Sequence, residues 1–302
     1  MAINTVAILS PGDMGHAVGQ LLREHELRVV TCLTGRSART RALSEKAGIE
    51  DIADFNEMVR NSDVILSMTV SEVAPQVCRE VAEAIKSNGA TDVLFAECNA
   101  IAPQLTRSLE PVIVETGARF VDASIIGGPP RGGSSPRFYA SGPNAAELEQ
   151  LRGFGLDVRN IGPDTGQASG IKMCYAAMTK GSAALFSELL MAAELLGLSE
   201  HLKSEFQNSQ AAVYQRMEGG IPTMPARSRR WVSEMEEIGS TFEHLGMTPY
   251  VFKGVADMYR LIGSTPLGDE RPEVTRDEHR SLEETIRLLA EHIDKSGIDK
   301  SG

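Results

Sequence analysis

The residues best suited to chemistry near the start of the chain form the turn Ser10-Pro11-Gly12-Asp13-Met14-Gly15. This turn follows the apolar run Val6–Leu9, which predicts a buried strand, and precedes a helical pattern that begins at His16. A glycine-rich turn in this context binds the pyrophosphate of a dinucleotide, because glycine lets a phosphate approach the backbone and the helix N-terminus holds it. The usual pattern has its first glycine where Ser10 stands. We predict that all six residues of the turn contact a dinucleotide cofactor.

The end of the predicted second strand, Leu27 to Leu33, favours one type of dinucleotide. An NAD-binding protein carries an acid about 20 residues past the glycine turn to bond the ribose 2′-hydroxyl, but this chain has no acid between Glu26 and Glu45. Thr34, Arg36 and Ser37 stand there instead. A guanidinium with neighbouring hydroxyls suits a 2′-phosphate. We therefore predict NADP rather than NAD, with these three residues as contacts; the alternative is a solvated loop in which Ser37 caps a helix.

Composition sets limits on the kind of protein. The chain has 302 residues and a formal net charge of −11, which argues against binding to nucleic acid or to an anionic membrane surface. The four cysteines are scattered and the six histidines lack metal-ligand spacing, so we predict reduced thiols and no metal. No apolar run of about 18 residues occurs, and the first strand begins too early for a signal peptide. We expect a cytoplasmic protein.

Apolar runs alternate with helical patterns in the first half of the chain. This alternation predicts a doubly wound, mostly parallel α/β sheet of the Rossmann type over residues 1–165. The strand signal then ends, and long helical patterns predict an all-α domain over residues 166–302. Ligands bind at the carboxyl ends of parallel strands, so we expect the loops there to form the site. Those loops contain Ser10, Thr34, Met68, Thr69, Val70, Asn99 and Gly127.

Four motifs in order resemble the β-hydroxyacid dehydrogenase superfamily, which includes 6-phosphogluconate dehydrogenase and 3-hydroxyisobutyrate dehydrogenase. Ser10–Gly15 resembles its G-x-G-x-M-G turn, Glu97–Pro103 its D-x-S-T-x-x-P cofactor loop, Asp122–Gly128 its D-A-P-V-S-G-G substrate loop, and Gly166–Lys172 its lysine segment. The run Gly127-Gly128-Pro129-Pro130 is closer to a less-characterised bacterial branch with its own C-terminal helical domain. The resemblance implies hydride transfer between a nicotinamide cofactor and a hydroxy acid.

The resemblance also implies roles for individual residues. Lys172 would exchange a proton with the reacting oxygen, which requires burial between the two domains to lower its pKa from about 10.4; the alternative is a solvated helix lysine. The predicted cofactor contacts also include Asn99 in the cofactor loop, and Met68, Thr69 and Val70 at the end of the predicted strand Val64–Met68. The substrate-binding residues would include Ser124, Gly127, Gly128 and Ser169, although Ser169 equally fits a small packing residue.

Two departures from the family pattern affect substrate recognition. Ile126 replaces a serine and Ala176 replaces an asparagine, both of which normally bond the substrate. Polar recognition would then come from elsewhere, with Ser124, Ser169 and Lys180 as candidates. Trp231 stands in an arginine-rich segment, where it could wall a pocket beside a carboxylate-binding arginine. The alternative for this segment is an amphipathic helix that packs on a partner subunit.

These features predict an NADP-dependent dehydrogenase or reductase that acts on a 3-hydroxy acid or a related hydroxyl or carbonyl compound. The alternatives are an imine reductase on the same scaffold and a non-catalytic NADP(H)-binding protein. Because the imine reductases of the family usually lack the lysine, Lys172 favours alcohol chemistry. The Ala, Leu and Met content of residues 176–196 predicts a homodimer through the helical domain.

Overall fold

The computed structural model describes residues 3–131, 133, 135–271 and 280–296, with side chains to residue 293 in the last helix. The chain divides into two compact units, residues 1–174 and 175–302. This division falls inside a long helix, whereas the domain boundary predicted between residues 165 and 166 falls just before that helix. Each unit is described by itself below.

Within the described residues of the first unit, eight strands form one sheet in the order β3-β2-β1-β4-β5-β6-β7-β8. Neighbouring strands run parallel except β6 and β7, which are antiparallel. This architecture confirms the predicted doubly wound α/β fold. The strands are β1 Thr5–Leu9, β2 Arg28–Thr31, β3 Glu50–Asp51, β4 Val64–Ser67, β5 Leu94–Glu97, β6 Arg119–Ile126, β7 Arg137–Ser141 and β8 Asp157–Asn160.

Helices connect the parallel strands, and local signals determine where several of them begin and end. Ser37 caps its helix by accepting a hydrogen bond from the N–H of Thr40, and Gly48 ends that helix in the left-handed conformation. Asp54 caps the next helix through the N–H of Glu57. The helices are α1 Gly15–Glu24, α2 Ala38–Ala47, α3 Phe55–Asn61, α4 Ala74–Asn88, α5 Pro103–Val114 and α6 Ala145–Leu148.

Both faces of the sheet are buried, because successive side chains of a strand point to opposite sides. In β1, Val6 and Ile8 enter one core, which also contains α1, while Ala7 and Leu9 enter the other, which also contains α3, α4 and α5. The sheet therefore holds its strand ends rigidly, and the loops after those ends have fixed starting points.

The second unit is helical, which confirms the predicted all-α region. The long helix α7 (Gln167–Leu195) begins in the first unit and continues into the second. The other helices are α8 Ser199–Ser209, α9 Ala211–Gly220, α10 Ser228–His244, α11 Tyr250–Ser264 and α12 Leu282–Ser296. Among the described residues, no helix combines the length and apolar character needed to span a membrane.

Two details of the predicted elements were wrong. The helical pattern from His201 to Glu218 predicts a single helix, but the chain leaves helical geometry at Gln210 (φ −139°, ψ 37°) and forms α8 and α9. The short elements β3 and α3 were not predicted, because two exposed residues and a seven-residue helix give little periodic signal.

Candidate functional site

The turn between β1 and α1 has the geometry of a phosphate-binding loop. Ser10 has φ 64°, the left-handed conformation that favours glycine, and its carbonyl accepts a hydrogen bond from the N–H of Gly12 at 2.7 Å. A Cβ on Gly15 would lie 2.9 Å from the Ser10 carbonyl oxygen and 3.0 Å from Ile8, so this position has no room for a side chain. A Cβ on Gly12 would come no closer than 3.9 Å to another protein atom.

The contrast between the two glycines fits a bound dinucleotide. Gly15 is required by helix–strand packing, whereas Gly12 faces space that the protein does not fill and a pyrophosphate could occupy. The N–H of His16, at the start of α1, donates to the Gly12 carbonyl at 3.0 Å, so the helix begins directly on this turn. Pro11 is buried, and Asp13 and Met14 are half-buried.

Two further side chains, which the sequence did not single out, contact this turn. The Nδ1 of His16 donates to the carbonyl oxygen of Gly12 at 2.6 Å, which holds the turn closed onto α1. Arg131, in the loop after β6, lies 3.9 Å from Asp13. The loop that follows β6 therefore reaches the predicted cofactor turn. The only signal for this proximity was the position of both loops at the carboxyl edge of the sheet.

The loop after β2 contains the three residues predicted to recognise a 2′-phosphate. The Thr34 hydroxyl donates to the carbonyl of Ala53 at 3.3 Å, and Ser37 caps α2. Within the described part of the chain, the half-buried Arg36 side chain makes no hydrogen bond or ion pair. Arg41, in contrast, donates to the carbonyl of Leu33. Arg36 is thus the guanidinium of this loop that is available to a ligand.

The loops after β4 and β5 hold the remaining predicted cofactor contacts. Met68 is buried, Thr69 is half-buried and Val70 is 42% exposed, so the chain emerges from the core over these three residues. Asn99 is buried, and its amide nitrogen donates to the Ser67 hydroxyl at 3.0 Å and to Glu97. The amide oxygen of Asn99 is buried and has no partner among the described atoms.

Glu97, at the end of β5, is a fully buried carboxyl group. Its Oε1 accepts the backbone N–H of Asn99 at 2.9 Å, while its Oε2 has no partner in the described structure. Burial raises the pKa of Glu97 to about 8, although the bonds from Asn99 and Ser67 oppose this rise. The group is therefore a neutral acid at neutral pH.

Asp122 on β6 is the register partner of Glu97 and is also buried. Its Oδ2 accepts the hydroxyls of Ser141 and Ser169 at 2.9 and 3.0 Å. The backbone N–H groups of Gly166 and Ser169 donate to the same oxygen. Burial raises the pKa of Asp122, and these four bonds oppose the rise. Ser169, predicted to bind substrate, thus donates its hydroxyl hydrogen bond to Asp122.

Lys172 lies one turn further along α7, and its Nζ donates to the carbonyl of Ile125 at 2.5 Å. Ile125 precedes the two glycines of the predicted substrate loop. Gly127 has φ 122°, and a Cβ there would lie 3.3 Å from Pro136, whereas Gly128 has open space around it. The hydroxyl of Ser124, on the same strand, is buried without a partner in the described structure. The amine of Lys172, the Ser124 hydroxyl and the glycine turn therefore all lie near the end of β6.

Trp231, the other predicted substrate contact, lies in the second unit on α10. Its ring meets Tyr259 edge to face at a centroid distance of 5.3 Å, and Lys180 Nζ lies 5.0 Å from its centroid. Lys180 forms an ion pair with Glu234. Burial lowers the pKa of Lys180, and its attraction to Glu234 opposes this change. Ala176, also in this unit, is buried.

The fold and the turn define a dinucleotide-binding protein, and comparison with known families agrees. Residues 5–152 match the NAD binding domain of 6-phosphogluconate dehydrogenase, and residues 193–262 match a domain of unknown function, DUF1932. These matches confirm the resemblance to the 6-phosphogluconate dehydrogenase-like, β-hydroxyacid dehydrogenase superfamily, and residues 5–152 are an NAD(P)-binding domain.

Individual proteins are similar to this chain in sequence. An uncharacterized 28.5 kDa protein of Methanothermus fervidus is 26% identical over 85% of this chain and 98% of that protein. The mitochondrial 3-hydroxyisobutyrate dehydrogenase of Drosophila melanogaster is 26% identical over 58% of this chain and 56% of that enzyme.

Solved structures share the fold. The 3-hydroxyisobutyrate dehydrogenase of Mycobacterium tuberculosis superimposes with a TM-score of 0.66 at 16% identity, over 93% of this chain and all of that one. An imine reductase of Myxococcus stipitatus in complex with NADP⁺ has a TM-score of 0.56 at 20% identity, over 94% of this chain and 99% of that one.

Proposed function

We propose that this chain is an NADP-dependent dehydrogenase or reductase that transfers hydride between the cofactor and a 3-hydroxy acid or a related hydroxyl or carbonyl compound. The observation that carries this proposal is the hydrogen bond from Lys172 Nζ to the Ile125 carbonyl. It holds an amine at the end of β6, beside the Gly127–Gly128 turn and in the same unit as the dinucleotide loop. When bound, the nicotinamide ring supplies or accepts the hydride.

Each group of residues has a part in this proposal. Lys172 gives a proton to the reacting oxygen in reduction and takes it in oxidation. The backbone of Gly127 and Gly128 and the unpartnered hydroxyl of Ser124 contact the substrate. Ser169 and Trp231 stay predicted substrate contacts. The apolar Ile126 limits polar recognition at this loop, which favours a substrate with few polar groups beside its reacting carbon.

The proposed cofactor is NADP, and the free guanidinium of Arg36 supports it. Arg36, with the Thr34 and Ser37 side chains beside it, would bind the 2′-phosphate. The turn Ser10–Gly15 would bind the pyrophosphate, and the segment Met68–Val70 with Asn99 would line the nicotinamide side. A cytoplasmic location stays a prediction; the free state of the four cysteines suits a reducing compartment.

A turnover screen tests the proposal against its alternatives. The full chain is assayed with NADPH and NADP⁺, and in parallel with NADH and NAD⁺, over hydroxy acids, their carbonyl partners and cyclic imines. We expect oxidation of a hydroxy compound at alkaline pH and reduction of its carbonyl partner, both faster with the phosphorylated cofactor. Turnover of imines alone would replace this function with imine reduction. Tight NADPH binding without any turnover would instead indicate a binding protein.

A further inference from the structure

The N-terminus of α7 is held by two side chains from the sheet. The N–H groups of Gly166 and Ser169 donate to Asp122 Oδ2 at 2.8 and 3.1 Å, and the N–H of Ala168 donates to Ser141 Oγ at 2.9 Å. The first N–H groups of a helix lack intrahelical partners and carry the positive end of its dipole. A buried carboxylate at this position is therefore a strong anchor for the helix.

The same strand contacts α7 a second time, one turn later. Ser169, whose hydroxyl donates to Asp122 at 3.0 Å, precedes Lys172 by three positions and so lies on the same side of the helix. Lys172 Nζ in turn donates to Ile125, three residues after Asp122 on β6. Two attachments to one strand fix both the rotation and the axial position of this part of α7. Together, these two attachments determine the position of the Lys172 amine.

The convergence of four donors on one oxygen of Asp122 makes this side chain an effective anchor. The neighbouring Glu97 has only Asn99 and Ser67 to stabilise an ionised form, whereas Asp122 faces four donors on one oxygen. These four donors favour the ionised form of Asp122, whereas its burial raises the pKa. An uncharged side chain at residue 122 would keep the shape of the site but lose the attraction to the helix N-terminus.

We propose that Asp122 is the positioning residue of Lys172: its carboxylate anchors the first turn of α7 and thereby sets where the lysine amine stands at the end of β6. This inference rests on the proposed function, in which Lys172 exchanges a proton with the reacting oxygen and therefore must be held in place. Asp122 itself does not touch the reacting atoms. It acts through Ser169 and the helix backbone.

Asp122→Asn tests the proposal in a double-mutant cycle with Lys172→Ala. In the otherwise unchanged chain we expect kcat to fall about 10- to 100-fold, the usual effect of displacing a reacting group by about 1 Å. The dissociation constant of NADPH should change less than about twofold, because the dinucleotide turn is not altered. In the Lys172→Ala background, Asp122→Asn should change kcat less than about twofold. Equal losses in both backgrounds would overturn the proposal.

A second variant and a matched control keep the test sharp. Ser141→Ala removes one donor to Asp122 and the acceptor of the Ala168 N–H. If the Asp122→Asn protein does not fold, Ser141→Ala takes its place in the double-mutant cycle. Glu110→Gln alters the carboxylate that accepts the Thr165 hydroxyl at 3.0 Å, next to Gly166 but without contact to Asp122. We expect kcat of this control to stay within about twofold of wild type. A loss equal to that of Asp122→Asn would show that the loop, not Asp122, positions the lysine.

Competitive acetylation of lysines, read by mass spectrometry, measures the position of Lys172 without any substrate. Asp122→Asn should speed labelling of Lys172 about threefold or more, since release of the helix N-terminus would weaken the bond from the amine to the Ile125 carbonyl. The exposed Lys86 should label at its wild-type rate. Unchanged labelling of Lys172 would overturn the positioning role. If Lys172→Ala keeps full turnover, the proposed function fails. The labelling of Lys172 in Asp122→Asn would still test whether Asp122 positions the lysine, because it needs no substrate.

Discussion

At the scale of single residues, the partner of Lys172 determines what its amine can do. A carbonyl oxygen accepts a hydrogen bond from an ammonium and from a neutral amine alike, whereas a carboxylate would favour the charged form. The bond from Lys172 Nζ to the Ile125 carbonyl holds the side chain at the end of β6 and does not itself favour one protonation state. A residue that serves a reaction in both directions needs this freedom.

Replacement of Lys172 tests this role directly. Lys172→Ala should reduce turnover about 10²- to 10⁴-fold, the usual contribution of a positioned acid or base. Lys172→Arg should also fail, because a guanidinium does not release its proton near neutral pH. NADPH affinity, measured by fluorescence titration, should stay nearly unchanged. Retention of most activity by Lys172→Ala would remove the lysine from the mechanism.

Arg36 should decide the choice between the two dinucleotides. Because its guanidinium is available to a ligand, Arg36→Asp should weaken NADPH binding by about 1.5–3 kcal/mol, the range for hydrogen bonds to charged groups. Binding of NADH should change much less, since that cofactor lacks the 2′-phosphate. Arg79→Asp, the same charge change at an exposed position of α4, serves as the control. An equal loss of affinity for both cofactors would refute the assignment.

The buried acid Glu97 should make stability depend on pH. Its folded-state pKa of about 8 lies above the ordinary value of 4.5, so the folded protein binds a proton that the unfolded chain releases. This contribution is fully present below about pH 4.5 and is lost as the pH rises to about 8. The raised pKa of Asp122 acts in the same direction, and burial keeps the nearby thiol of Cys98 neutral by raising its pKa.

Denaturant unfolding at several pH values measures this effect. Between about pH 4.5 and pH 8, the unfolded-state and folded-state pKa values of Glu97, the free energy of unfolding should fall by up to about 1.4 kcal/mol per pH unit because of this residue. Glu97→Gln should flatten that slope, since an amide resembles the protonated acid and does not titrate. The exposed Glu83→Gln should leave it unchanged. A wild-type slope that persists in Glu97→Gln would show that the proton resides elsewhere.

The sequence assigns some site residues from a local pattern and others only as members of a motif. Lys172 and the turn at Gly12 each combine a residue type with a local pattern, and their assigned roles stay predictions. The partnership of Glu97 with Asp122 could not be predicted, because it depends on the register between β5 and β6, which are separated by a helix. Asn99 and Ser124 were predicted to contact ligands, and these assignments stay predictions; both side chains are buried and have an unpartnered oxygen in the described structure.

At the scale of elements, strands and helices with a clear apolar period were predictable. The patterns of residues 137–141 and 38–47 predict a strand and a helix with the same bounds as the observed Arg137–Ser141 and Ala38–Ala47. The short edge strand β3 consists of two exposed acids that pair with β2, so it carries no apolar signal at all. The helix α3 had a usable signal, Asp54 followed by Glu57, which is typical of a helix N-terminus.

The turn between β1 and α1 offers a test that separates folding from cofactor binding. Gly12→Ala places a methyl group where it meets no protein atom within 3.9 Å, so the free energy of unfolding should change by less than about 1 kcal/mol. NADPH affinity should nevertheless fall at least about tenfold, because the methyl group occupies the space expected for the pyrophosphate.

Gly15→Ala is the matched comparison. Its methyl group would press on the Ser10 carbonyl and on Ile8, and overpacking of this kind costs about 1–3 kcal/mol. Thermal unfolding should therefore show a loss of stability for Gly15→Ala but not for Gly12→Ala. If Gly12→Ala bound NADPH as wild type does, the pyrophosphate would not lie over this turn.

At the scale of the whole molecule, the order of element types was sufficient to predict the fold class. Alternating strands and helices gave the doubly wound sheet, and the loss of strand signal gave the helical region that follows. The antiparallel pairing of β6 with β7 was not predictable from apolar patterns, because pairing direction depends on the short connection between the two strands. That connection also carries Arg131, which explains why its contact with Asp13 was missed.

The second unit exposes apolar side chains on one side of α7. Tyr175, Met178 and Leu185 are 48, 59 and 56% exposed, and their spacing places them on one face of the helix. Contiguous exposed apolar surface on a protein of high net charge is typical of an interface. We therefore propose that this face of α7 contributes to the predicted homodimer.

Light scattering at micromolar concentration tests the dimer, for which we expect twice the mass of the 302-residue chain. The double variant Met178→Glu with Leu185→Glu should give a monomer, because two carboxylates would have to be desolvated in the interface. Leu245→Glu, an equally exposed apolar position at the end of α10, is the matched control and should stay dimeric. A wild-type monomer would end this proposal. A dimer that survives the double variant would move the interface away from α7, and the exposed apolar face would then need another partner.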